Sequence, residues 1–287
     1  MKIIKTISEI QKFSNDAHKR ARTIGFVPTM GFFHKGHLSL IKEARDKSDL
    51  AVVSIFVNPA QFGRGEDYEA YPRDLKRDDK LASQIGVDVI FAPEVQQMYP
   101  EGYLTFVDVG KISEILEGAS RPGHFRGVTT VVTKLFNIVK PDLAFFGQKD
   151  YQQAVIIKRM VEDLNMDIRI VVLPTQREPD GLAMSSRNTY LSPRERKAAP
   201  VLFRSLMRAR DMIEKGQRKS KKIMEGIKEE VASEELIRLE YVAVCDPGTL
   251  EEVNEIRKDV LIAIAAKIGK TWLIDNIIVG TPLFNEK

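Results

Sequence analysis

The stretch Thr23-Ile24-Gly25-Phe26-Val27-Pro28-Thr29-Met30, followed shortly by His34-Lys35-Gly36-His37, decides how the rest of the chain is read. The first part is an apolar run of strand length. The second places two imidazoles three positions apart, ahead of a helical pattern that runs to about Lys47. If Gly36 or His37 opens that helix, the i and i+3 side chains share a face, and the unsatisfied N–H groups of the first turn point the same way. Both features favour anions. Imidazole donors fixed at a helix N-terminus suit a nucleotide triphosphate, because negative charge grows on the pyrophosphate as it departs. The same spacing also fits surface histidines or a pair of metal ligands.

Outward from this segment, the first 175 residues alternate β-branched runs with amphipathic stretches, the pattern of a parallel sheet covered by helices. Strands are expected at Thr23–Val27, Leu50–Val57, Val87–Ala92, Thr105–Val109, Asp142–Phe146 and Ile168–Leu173, and helices at about His37–Lys47, Arg73–Ile85 and Asp150–Leu164. Val128–Phe136 is β-branched enough for a strand, yet it lies where a crossover is needed, so topology makes it a helix. Pro174-Thr175-Gln176-Arg177-Glu178-Pro179-Asp180-Gly181 is rich in breakers and marks the domain boundary. Beyond it come a helix over Pro193–Lys215, another over Ser220–Ala232, and strands Tyr241–Cys245, Val260–Ile268 and Trp272–Val279. The fold class expected is α/β: a Rossmann-like parallel-sheet domain over residues 1–175 and a small α+β domain over 176–287.

Composition narrows the partners. The 287 residues carry 44 basic and 40 acidic side chains, a net charge of +4. The basic clusters Lys19-Arg20-Ala21-Arg22 and Arg218-Lys219-Ser220-Lys221-Lys222 lack interleaved aromatics and read as solvated faces, so no nucleic-acid partner is expected. No uncharged apolar run approaches the roughly 20 residues of a membrane helix. The single Cys245 allows no intrachain disulfide and no zinc cluster, which makes a reducing compartment, the cytoplasm, the expectation.

In an open parallel sheet, ligands sit outside the carboxyl ends of the strands at the switch in strand order, and the chemically unusual segments fall at such ends. Gly147-Gln148-Lys149-Asp150 follows a strand: Gly147 permits close backbone approach, Lys149 meets phosphate, and Asp150 bonds a ribose or merely caps a helix. Met184-Ser185-Ser186-Arg187 joins hydroxyls to a fixed cation, as in a mobile loop closing on triphosphate, or in any polar loop. Gln61 and Gln153 are neutral amides suited to a small hydroxy acid, or plain surface residues. Gly118-Ala119-Ser120-Arg121-Pro122-Gly123-His124-Phe125-Arg126-Gly127 fits an anion-facing loop or a crossover connection.

Together these motifs resemble the pantoate:β-alanine ligases, members of the adenylate-forming HxGH nucleotidyltransferases. The resemblance spans nearly the whole chain. It is carried by Val27–Gly31 leading into His34–His37, Phe56-Val57-Asn58-Pro59-Ala60-Gln61-Phe62, Arg121–Phe125, Phe146–Gln153, Asp180–Asn188 and Leu273-Ile274-Asp275-Asn276. It implies that ATP and Mg2+ are used to convert pantoate to pantoyl adenylate, from which β-alanine displaces AMP. ATP is then assigned to Met30, Gly31, Phe32, Phe33, His34, Lys35, Gly36 and His37, to Gly147, Gln148, Lys149 and Asp150, and to Gln176, Met184, Ser185, Ser186 and Arg187. His34, His37, Lys149 and Arg187 are the catalytic set. His37 matches the family's general acid, with phosphate stabilisation serving equally well. Gln61 and Gln153 correspond to the pantoate amides, and Asn58, Met30, Val131 and Val132 to supporting walls. Gln176 stands where an apolar residue is common. A homodimer through the first domain is implied, and another nucleotidyltransferase acting on a small cofactor precursor is the alternative.

Overall fold

A computed structural model describes residues 1–280. The chain divides into two compact units, one of residues 1–147 and 152–173, the other of 148–151 and 174 onward. The boundary expected after residue 175 thus differs at one internal point: Gln148–Tyr151 groups with the C-terminal unit.

The first unit is a six-stranded, all-parallel sheet with the order β1-β4-β3-β2-β5-β6. Its strands are β1 (Lys2–Ile4), β2 (Ile24–Thr29), β3 (Leu50–Ile55), β4 (Val89–Phe91), β5 (Leu143–Gly147) and β6 (Arg169–Leu173). Its helices are α1 (Ile7–His18), α2 (Lys35–Lys47), α3 (Leu75–Ile85), the single turns α4 (Val95–Met98) and α5 (Glu117–Ser120), then α6 (His124–Val139) and α7 (Tyr151–Asp163). Alternate strand residues enter two cores. Phe26, Val52, Phe91 and Phe146 meet Ile10 of α1, Val131 and Phe136 of α6 and Ile156 of α7, whereas Val27, Val53, Ile90 and Phe145 meet Ile41 of α2 and Ala82 of α3. Cover on both faces is why these strands read as continuous apolar runs. The strand order reverses at β2, which has β3 on one side and β5 on the other, so its carboxyl end lies at the switch point.

Three expectations need correction. The strand β1 and helix α1 were not anticipated, because a three-residue edge strand carries too little periodicity. Thr105–Val109 joins no sheet. Its extended backbone docks on α6, where the Thr130 hydroxyl accepts from the Val107 N–H at 3.0 Å and the Thr129 hydroxyl donates to the Val107 carbonyl at 2.6 Å. The Pro193–Lys215 helix is two, α8 (Pro193–Ala198) and α9 (Val201–Glu214), since Pro200 has no N–H with which to continue the ladder. Val128–Phe136 lies within α6, its β-branched residues buried on the sheet, where packing outweighs propensity.

The second unit adds α10 (Ser220–Val231) and an antiparallel sheet of β7 (Ile237–Cys245), β8 (Val260–Ile268) and β9 (Thr271–Val279), with β8 central. Leu202, Leu206 and Ile213 of α9 and Ile223 and Ile227 of α10 pack against Val244, Ile262, Ile264 and Leu273 of the sheet. Cys245 ends β7 fully buried, and burial, together with Glu252 and Asp246, pushes its thiol up to about 12. Only thiolate reacts readily. The native protein at pH 8 is therefore expected to be inert to an aromatic disulfide reagent and to release one equivalent once denatured. Prompt release before denaturation would contradict that burial.

Candidate active site

At the carboxyl end of β2 the backbone turns through two left-handed residues, Gly31 at φ +84° and Phe32 at φ +53°. The second is strained for a residue with a Cβ. A buried carboxylate holds it there. Asp78 of α3 is 1% exposed and accepts the Phe32 N–H at 2.6 Å and the Phe33 N–H at 2.8 Å, one on each oxygen. Burial pushes this carboxyl above its ordinary value, opposed by the two N–H bonds and by Arg77. Arg77 completes the clamp: its Nη2 donates to the Phe33 carbonyl at 2.8 Å, and its guanidinium lies 4.8 Å from the Phe32 ring centroid.

The clamped turn delivers His34 as the N-cap of α2, whose first residue, Lys35, lies one or two positions before the expected opening at Gly36 or His37. The two histidines form a reciprocal cap. His34 Nδ1 accepts from the Gly36 N–H at 3.1 Å, and His37 Nδ1 accepts from the His34 N–H at 3.3 Å. Because both Nδ1 atoms are acceptors, the neutral rings carry their protons on Nε2. The rings lie 4.1 Å apart, tilted by 36°. The helix start therefore carries two oriented imidazole N–H donors beside the orphan N–H groups of the first turn, with Lys35 exposed.

Asn58, Gln61 and Met30 meet in the same unit. Asn58, 1% exposed, donates from Nδ2 to Gln61 Oε1 at 3.0 Å and to the Gly127 carbonyl at 3.1 Å, and its Oδ1 accepts from the Tyr99 hydroxyl at 2.8 Å. Gln61 Nε2 lies 3.4 Å from Met30 Sδ. The Gln61 amide thus has one set orientation. Val131 and Val132 are buried on α6, the helix that packs on the 3-10 turn Pro59–Gln61. Gln153 is half-buried in the first turn of α7. Its neighbour Gln152 is structural, joining the Glu117 N–H to the Ile112 and Ile115 carbonyls.

In the second unit, β9 organises both remaining motifs. It touches the 3-10 turn Gln148–Asp150 and the 3-10 turn Ser186–Tyr190. Asn276 of β9 donates from Nδ2 to the Gln148 carbonyl at 3.0 Å and the Lys149 carbonyl at 2.8 Å, which fixes the backbone after Gly147, and Lys149 Nζ is 3.7 Å from Asp150. The adjacent Asp275 is buried, which pushes its carboxyl up, against the fork of Arg177 at 2.6 and 2.9 Å. Arg177 begins a short hairpin-like crossing in which the Met184 N–H donates to the Gln176 carbonyl at 2.9 Å. That crossing delivers Ser185, whose hydroxyl accepts the Arg187 N–H at 3.2 Å and caps the turn bearing Ser186 and Arg187. The segment read as a mobile loop or any polar loop forms a capped 3-10 turn.

Sequence reasoning missed Asp78 and Tyr99. Asp78 sits in Lys76-Arg77-Asp78-Asp79-Lys80, which reads as a solvated helix face.

A doubly wound parallel sheet with an imidazole-capped helix at its switch point defines a Rossmann-like α/β enzyme. A family model described as pantoate-beta-alanine ligase matches residues 2–278. Pantothenate synthetases from Pelotomaculum thermopropionicum and Acetivibrio thermocellus are 55% and 56% identical, over 98% and 97% of this chain and 99% of each relative. Among solved structures, a Thermus thermophilus pantothenate synthetase superposes with a TM-score of 0.93 at 43% identity, covering 98% of this chain and all of that one. A Francisella tularensis pantoate-beta-alanine ligase, complexed with beta-gamma ATP and beta-alanine, gives 0.80 at 37% identity over 97% of both chains. This chain belongs to the pantoate–β-alanine ligase family.

Replacing Asp78 by Ala takes this acceptor from the buried Phe33 N–H and the half-buried Phe32 N–H, at roughly 1–3 kcal/mol each. Chemical denaturation should show a loss of about 2–4 kcal/mol with an unchanged m-value. A loss under ~0.5 kcal/mol, the range of ordinary surface substitutions, would mean that Asp78 does not hold the turn.

Proposed function

We propose that this chain joins pantoate to β-alanine at the expense of ATP through an acyl adenylate. A carboxylate oxygen of pantoate attacks the α-phosphorus, the bond to pyrophosphate breaks, and pyrophosphate leaves. The β-alanine amine then attacks the acyl carbon, the bond to AMP breaks, and the amine gives up a proton. The imidazole cap on α2 carries this reading. Its two Nε2–H donors are oriented before substrate arrives, so they stabilise charge growing on phosphate without reorganising. With Nδ1 engaged by a backbone N–H, His37 serves as a hydrogen-bond donor to phosphate rather than as a proton source.

The residue assignments divide between the units. In the first, Met30–His37 and Gly147 contact ATP, while Gln61, Gln153, Asn58, Met30, Val131 and Val132 contact pantoate. In the second, Gln148, Lys149, Asp150, Met184, Ser185, Ser186 and Arg187 contact ATP, and Gln176 contributes through its backbone. Lys149 and Arg187 supply cations for the departing pyrophosphate. Among the described residues no three His, Cys, Asp or Glu side chains come together to hold a metal. Asp150, beside Lys149, is the carboxylate that would hold Mg2+ on the nucleotide's phosphates, where the cation would neutralise phosphate charge. No helix among the described residues is long and apolar enough to cross a membrane. A cytoplasmic setting and the absence of a nucleic-acid partner are part of the same reading.

Exchange of labelled pyrophosphate into ATP should require pantoate and proceed without β-alanine. Exchange indifferent to pantoate would point to another nucleotidyltransferase. His37→Ala should lower this exchange about 100-fold while ATP binding changes little, since a donor that acts on the transition state is worth roughly 10²–10³. Equal losses in both would refute the assigned role.

We also infer a homodimer through the first unit. Leu104 is 86% and Phe106 47% exposed on the extended segment that docks on α6. Val107 turns its N–H and C=O inward to Thr130 and Thr129, so Phe106 and Asp108 present theirs outward, as an open strand edge does. Light scattering should give two chains at micromolar concentration, and Leu104→Lys should shift the protein to monomer. A wild-type monomer would end this assignment.

A further inference from the structure

The Arg121-Pro122-Gly123-His124 stretch takes no part in the functions assigned so far, and the structure gives it a specific arrangement. Arg121 is not turned to a ligand. Its Nε and Nη2 fork onto Glu66 at 2.8 and 2.6 Å, and its third nitrogen, Nη1, lies 3.2 Å from His124 Nε2. His124, the first residue of α6, places its Nδ1 2.8 Å from the Gln61 carbonyl oxygen. Only one tautomer satisfies both neighbours. The carbonyl can only accept, so Nδ1 carries the proton; the guanidinium can only donate, so Nε2 must accept.

A polar relay therefore runs from Glu66 through Arg121 and His124 to the backbone of Gln61. The surrounding packing leaves Gln61 little freedom to move away from it. A Cβ on Gly127, one turn along α6, would lie 2.2 Å from the Ala60 carbonyl oxygen and 2.6 Å from the Gln61 nitrogen, so the helix rests directly on that backbone. Asn58 holds the other end of the residue through the side-chain amide. Gln61 is gripped at its carbonyl by the relay and at its amide by Asn58.

We propose that Glu66, Arg121 and His124 are positioning residues for pantoate: they set the Gln61 backbone so that its side-chain amide is presented to the acid. This rests on the reading of Gln61 as a pantoate contact. The three residues touch neither substrate nor ATP in this assignment. Their effect falls on pantoate saturation, not on phosphate chemistry. Glu66 belongs to the connection between the Gln61 turn and α3, so the relay also ties that connection to the start of α6.

The test is a set of variants measured for pantoate KM, ATP KM, kcat and thermal midpoint. His124→Ala should raise pantoate KM about tenfold, the size of one lost hydrogen bond of about 1.4 kcal/mol. ATP KM should stay within about twofold, with the midpoint little changed. His124→Asn keeps an N–H donor at the Nδ1 position and should recover most of the loss. Glu66→Gln, which keeps the shape but weakens the fork, should move pantoate KM in the same direction.

Coupling separates positioning from general damage. The relay grips the Gln61 carbonyl, which alanine retains, so Gln61→Ala removes the presented amide with its Asn58 and Met30 contacts and leaves the relay's own bond in place. In that background His124→Ala should raise pantoate KM no more than about twofold, because little is left to position. Additive effects in the double variant would overturn the proposal, as would a His124→Ala change confined to kcat or ATP KM. If Gln61→Ala alone leaves pantoate KM unchanged, the pantoate reading of Gln61 fails and the relay falls with it. If Gln61→Ala raises it and His124→Ala does not, only the relay fails.

Discussion

Two hydrogen bonds donated to one buried carboxylate set the geometry on which the carboxyl end of β2 and the start of α2 depend. Asp78 accepts the N–H groups of Phe32 and Phe33, which holds a phenylalanine in the left-handed region with Arg77 closing the clamp. That turn converts the outgoing direction of β2 into the start of α2, and the helix starts at the residue whose ring can cap it. His34 and His37 are thus placed by backbone geometry before any ligand contributes. A site arranged this way has met its ordering cost during folding and has less to lose on binding.

The histidines use their rings in two opposite senses. At the α2 cap both Nδ1 atoms are acceptors, so Nε2 carries the proton. In His124 the carbonyl of Gln61 takes the Nδ1 proton and Arg121 faces Nε2. Each tautomer is dictated by one neighbouring backbone group. One residue type thus supplies Nε2–H donors at a helix cap and an Nδ1–H donor to a backbone carbonyl, by changing only what the other nitrogen meets.

Much of this was legible in the sequence. The strands of the central sheet announce themselves because burial on both faces leaves uninterrupted apolar runs, and the helix over Val128–Phe136 followed from topology against its β-branched composition. That the paired histidines open a helix was legible because they stand between an apolar strand and an amphipathic stretch. Asp78 was hidden because a buried acid in a run of charges looks like its exposed neighbours. Thr105–Val109 was misread for a related reason: alternating residues mark an extended segment, and its partner is a pair of threonine hydroxyls on a helix rather than another strand. Arg121 looked like an anion receptor, and only the fold supplies Glu66, fifty-five residues away, as its occupant.

On the proposed reading of Gln61 as a pantoate contact, Gly127 has a consequence for redesign of the acid pocket. The ridge of α6 lies so close to Ala60 and Gln61 that even a methyl group has no room. That wall is backbone on backbone, and repacking side chains cannot move it. On that reading, a variant intended to admit a bulkier acid has to gain its volume further along the same helix, where Val131 and Val132 are buried side chains that can be trimmed. Selection for altered specificity would accordingly concentrate on those two valines and leave the glycine untouched.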